Sequence, residues 1–84
     1  MFGIINNLSS SHVIVIIDGI AKAKKGRMTS SLLADVTEAC AMCSIEKGTI
    51  WINKEKQLSF SSAIPSSYHQ RFKNVVSASN GLIQ

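Results

Sequence analysis

The dipeptide Asp18-Gly19 follows a β-branched run, Val13-Ile14-Val15-Ile16-Ile17, and precedes Ile20-Ala21-Lys22-Ala23-Lys24. A two-residue link between strands needs positive φ at both central positions, which Asp-Gly supplies at low cost, so a β-hairpin is predicted here. Pairing Ile17 with Ile20 sets Ile14, Ile16, Ala21 and Ala23 on one face. Val13, Val15, Ile17, Ile20, Lys22 and Lys24 take the other.

A second hairpin is predicted downstream. Gly48-Thr49-Ile50-Trp51-Ile52-Asn53 and Gln57-Leu58-Ser59-Phe60-Ser61 both alternate apolar with polar, and Lys54-Glu55-Lys56 forms the turn. That turn opposes Ile52 to Leu58 and Ile50 to Phe60, and it turns Thr49, Trp51, Asn53, Gln57 and Ser59 away.

Helical spacing follows each hairpin. Leu32, Leu33, Val36, Ala39, Cys40 and Cys43 form one stripe of a helix from about Thr29 to Cys43, with N-cap candidates in Thr29-Ser30-Ser31 and a stop at Glu46-Lys47-Gly48. Tyr68, Phe72, Val75 and Val76 mark a second helix, with Pro65 in its first turn and Asn80-Gly81 at its end. Shifting the chain against itself by about 36 residues aligns Ile14 with Ile50, Ile16 with Ile52, Met28 with Ile64, Val36 with Phe72 and Cys40 with Val76. The expected fold is α+β: a ββαββα tandem repeat, with a four-stranded antiparallel sheet and both helices on one face.

Composition limits the rest. With 84 residues and 45% hydrophobic content, the chain can bury one modest core, so residues 12–84 are read as one domain and residues 1–11 as an N-terminal arm. Only 17% of residues are charged, against about a quarter in ordinary globular domains, which implies that a partner covers part of the surface. The net charge is +4, and Lys22, Lys24, Lys25 and Arg27 are candidate contacts to an anion or nucleic acid; lysines also blunt an edge strand. No apolar run approaches the roughly 20 residues of a membrane span, and residues 1–5 lack the basic flank of a signal peptide, so a cytoplasmic location is expected.

The ending of the second unit, Phe60-Ser61-Ser62-Ala63-Ile64-Pro65 followed by Gln70-Arg71-Phe72-Lys73-Asn74-Val75, resembles a bacterial family of small domains of unknown function. Its members carry two ββα-like units, the first with Gly-x-hydrophobic-Pro before its helix, a position taken here by Gly26-Arg27-Met28-Thr29. The resemblance covers about residues 12–76. It implies the ββαββα fold, brings no catalytic residues, and lacks here the membrane helix with which members commonly begin.

Residues capable of chemistry do not assemble into a known motif. Cys40 and Cys43 could chelate zinc or form a disulfide, but His12 and His69 stand at no recognisable ligand spacing, and the pair lies at the wrong helix end for a low-pKa redox thiol. A core role is expected for Cys40 and a semi-buried one for Cys43. Asp35 and Glu38 read as a solvated helix face. With no phosphate loop, metalloprotease signature or nucleophile elbow, the chain is expected to be no enzyme and to have no catalytic, cofactor or metal residues.

The helix-free sheet face remains. Val13, Val15, Ile17 and Trp51 have no expected cover there, which points to an interaction module that makes a homodimer or binds another protein. The alternative is single-stranded nucleic acid, with Trp51 stacking on a base and Lys22 and Lys24 on phosphates.

Overall fold

The computed structural model describes residues 10–79 and 81–83. Strand β1 (Ser10–Ile17) turns at Asp18-Gly19 into β2 (Ile20–Lys25), and both turn residues have positive φ, 53° and 77°, as the hairpin requires. A two-residue strand, β3 (Arg27–Met28), leads into helix α1 (Ser30–Cys43). Strands β4 (Lys47–Asn53) and β5 (Leu58–Phe60) form the second hairpin. A 3₁₀ turn (Ser66–Tyr68), helix α2 (His69–Ala78) and strand β6 (Leu82–Ile83) complete the chain.

The molecule is α+β, with a four-stranded antiparallel sheet ordered β2-β1-β4-β5 and two helices. Ile14, Ile16, Ile50 and Ile52 share one core with Leu32, Val36 and Cys40 of α1 and Phe72 and Val76 of α2. Phe72 is fully buried, worth about 2–3 kcal/mol of apolar transfer. The central ladder pairs Ile14 with Ile50, Val13 with Trp51, Val15 with Thr49, His12 with Ile52 and Ile16 with Gly48.

Several boundaries differ from expectation. The element order gains β3 and β6, which pair with each other in a separate two-stranded ribbon. The C-terminal residues therefore dock, because Gly81 approaches Thr29 and Leu32 so closely that a Cβ there would collide with the Leu32 side chain, and its carbonyl accepts from Thr29 N–H at 2.9 Å. Strand β1 begins at Ser10, inside the expected arm; the remainder of that arm, residues 1–9, lies outside the described residues, as does Asn80 of the expected C-cap. Helix α2 ends at Ala78, before the expected Asn80-Gly81 stop, with Ser79 as its extended C-cap.

Local capping explains the helix ends. Thr29 Oγ1 accepts from Leu32 N–H at 3.2 Å and starts α1. That helix stops at Ser44 rather than at Gly48: Ser44 adopts the left-handed conformation, φ 57°, and Ile45 N–H closes back onto the Cys40 carbonyl at 2.9 Å. Pro65 does not enter α2 itself but precedes the 3₁₀ turn that leads into it.

Candidate interaction surface

The sheet register sets out the helix-free face as three rows. Lys25, Val13, Trp51 and Ser59 form one; Lys22, Val15 and Thr49 the next; Ile20, Ile17 and Lys47 the third. Lys24 is the extra residue of a β-bulge, so Lys25 and not Lys24 stands opposite Val13. Lys22, Lys24 and Lys25 are exposed on the edge strand, whereas Arg27 belongs to the β3–β6 ribbon and is not part of this face.

Exposure is uneven across the face. Ile17 and Ile20 are each 51% exposed, and Val15 and Trp51 are half-buried. Val13 is only 4% exposed, which corrects the expectation that it is a bare contact residue. Its neighbours in the row are Lys25 and Trp51. Ile20 lies outside the expected patch of four, although the Ile17–Ile20 pairing in the sequence already joins it to Ile17 at the hairpin tip.

The cysteines belong to α1 and to the core that it shares with the other face of the sheet. Cys40 and Cys43 are both buried and not disulfide-bonded. Burial, and secondarily the neighbouring Cys43, push the Cys40 thiol up from 9.0 to about 11, so it is a poor nucleophile and a poor metal ligand at neutral pH. Cys43 also lines a cavity of about 660 Å³ with Ile17, Asp18, Ile45, Pro65 and Tyr68. Among the described residues, no cluster of three or more His, Cys, Asp or Glu could hold a metal.

Both histidines are bound by backbone. His69 Nε2 donates to the Ile64 carbonyl at 3.1 Å and its ring stacks on Phe60, centroids 4.0 Å apart. His12 is buried, donates from Nε2 to the Ile83 carbonyl at 3.0 Å and holds Nδ1 2.9 Å from Ser11 Oγ. Nothing in the sequence marks that contact in advance. Among the described residues, no helix is long and apolar enough to cross a membrane. No family model matches the chain, and comparison with curated proteins and with solved structures finds no match, so the resemblance noted over about residues 12–76 stands on its short motifs alone.

Proposed function

We propose that this chain is a non-enzymatic interaction module that associates with a second copy through the helix-free face of its sheet. The observation that carries the reading is the pairing of Ile17 with Ile20, two large apolar residues on one face, each 51% exposed and continuous with half-buried Val15 and Trp51. Burying two isoleucines and their neighbours against the same patch of a two-fold partner would remove this surface from water. Sedimentation equilibrium at high micromolar concentration tests it. A dimer that dissociates in the Ile17→Lys/Ile20→Lys variant is expected; a monomeric parent chain rejects the reading.

A second reading draws on a different observation, the row in which Lys25 stands across Val13 from Trp51, with Lys22 and Lys24 beside it. Such a row suits a single strand, with one base against the indole and phosphates on the lysines. Its test is quenching of Trp51 fluorescence by a single-stranded oligonucleotide, lost as salt rises. An unchanged signal at low salt removes it.

We further infer that the two halves are related ββα units. What supports this is the order β2-β1-β4-β5, in which each hairpin lies outside the central β1–β4 pair, together with the pairing of Ile14 with Ile50, the two residues that the 36-residue offset equates. A pseudo-two-fold axis would pass through the Ile14–Ile50 pair. Strands β3 and β6 depart from it.

A further inference from the structure

The sheet has two edges, and they are treated differently. On β2 the outward-pointing N–H of Ala21 donates to Thr37 Oγ1 of α1 at 2.9 Å, so the helix covers that edge, and the bulge at Lys24 interrupts the rest. On β5 the ladder runs the other way. Asn53 N–H donates to the Gln57 carbonyl at 3.1 Å and Ser61 N–H to the Thr49 carbonyl at 3.0 Å. Hydrogen-bonded pairs alternate along an antiparallel ladder, so residues 57, 59 and 61 face β4, while Leu58 and Phe60 direct N–H and C=O away from the sheet.

A cavity of about 600 Å³ lies along this edge. Leu58 and Ser59 line it from β5, Gln70, Lys73 and Ser77 from one stripe of α2, and Lys56 from the turn. The lining thus joins β5, the outer strand of the sheet, to α2. Among the described residues, the lining contains two lysines and no carboxylate; Glu55, in the adjoining turn, is not part of it.

We propose that this groove docks an extended acidic segment of a partner protein, which adds to β5 as a fifth strand and presents its carboxylates to Lys56 and Lys73. The outward backbone groups of Leu58 and Phe60 supply the main-chain pairing that strand addition uses, and the two ammonium groups supply the charge preference. A second copy paired edge to edge would bring the same lysine-bearing lining, with no described carboxylate to meet Lys56 and Lys73. The groove is separate from the Ile17–Ile20 face, so either proposal can fail without the other.

The test uses the full chain labelled with nitrogen-15 and a capped peptide of four Val-Glu repeats. Amide exchange at Leu58 and Phe60 is expected to slow at least tenfold on saturation. The Lys56→Glu/Lys73→Glu variant, with an unchanged circular dichroism spectrum, is expected to bind at least tenfold more weakly, and a Val-Lys peptide not to bind. The proposal is overturned by shifts at Lys56 and Lys73 without protection of Leu58 and Phe60, by inorganic phosphate reproducing the full response, or by equal binding of the Val-Lys peptide. Response confined to Ile17, Ile20 and Trp51 also overturns it.

Discussion

His12 and Ile83 lie 71 positions apart in the chain, and His12 Nε2–H donates to the Ile83 carbonyl at 3.0 Å. The carbonyl can only accept, which sets a proton on Nε2, while the Ser11 hydroxyl, with one hydrogen to give, lies 2.9 Å from Nδ1 and 3.2 Å from the Ile52 carbonyl. One buried imidazole thus joins β1 to β6. The β3–β6 ribbon is only two residues long on each strand, and this contact joins the Thr29–Gly81 hydrogen bond and the packing of Leu82 in holding the C-terminal segment.

Replacing His12 with Ala removes the donor, leaves a cavity and strands the partner groups. The expected loss is about 3 kcal/mol, or roughly 12–24 °C in Tm for a domain of this size. Thermal unfolding measures it. Amide exchange should accelerate more at Leu82 and Ile83 than in the central ladder, a difference that a general loss of packing would not produce.

Gly26 lies against the same ring. Its φ is 80°, and an added Cβ would stand 2.6 Å from both His12 Cδ2 and the Ser11 carbonyl oxygen. Gly26→Ala therefore combines a left-handed backbone penalty with a steric collision, and about 2–4 kcal/mol of destabilisation is expected. Chemical denaturation checks the value; a change under 0.5 kcal/mol would mean that β1 and the chain at Gly26 separate more easily than their packing implies.

Ser44 has the same backbone class without the steric demand. It is exposed and takes φ 57° at the end of α1, where glycine carries less strain. Ser44→Gly is expected to stabilise the domain by about 0.5–1 kcal/mol, read as a rise in the denaturation midpoint with an unchanged slope.

The hairpins, the core face and α1 were legible because each rests on a local rule. Asp18-Gly19 admits one kind of turn, Ile14, Ile16, Ile50 and Ile52 alternate, and Thr29 caps the helix that follows it. The β3–β6 ribbon was not, because two-residue strands carry no period and their pairing depends on Gly81 fitting against Leu32. Exposure on the open face was legible only in part. Alternation assigns Val13 to that face but does not give its burial, and a bulge at Lys24 leaves no local signature.

The Cys40 thiol sets a pH window. Its folded pKa, about 11, lies above the ordinary 9.0, so below pH 9 both folded and unfolded chains hold the proton and the stability contribution is complete. As pH rises from 9 to 11 the unfolded chain releases the proton first, and stability falls. Urea midpoints measured across this window for the parent and for Cys40→Val should converge on the loss attributable to Cys40, since other titrating groups are common to both. Parallel profiles would show that the thiol ionises as easily folded as unfolded.

Thr37 covers the β2 edge through one hydrogen bond, Ala21 N–H to Oγ1, beneath a buried alanine. Thr37→Val keeps the shape and removes the acceptor, leaving an edge N–H facing a methyl group. A loss of about 1–2 kcal/mol is expected from the stranded donor. The consequence for the edge is more specific, because an unsatisfied N–H on an outer strand is a template for another chain. Thr37→Val should therefore raise the tendency to associate at high concentration, whereas Thr37→Ser, which retains the hydroxyl, should not. Light scattering of the two variants against the parent separates the outcomes: equal association in both would mean that the lysines and the bulge, not α1, keep this edge closed.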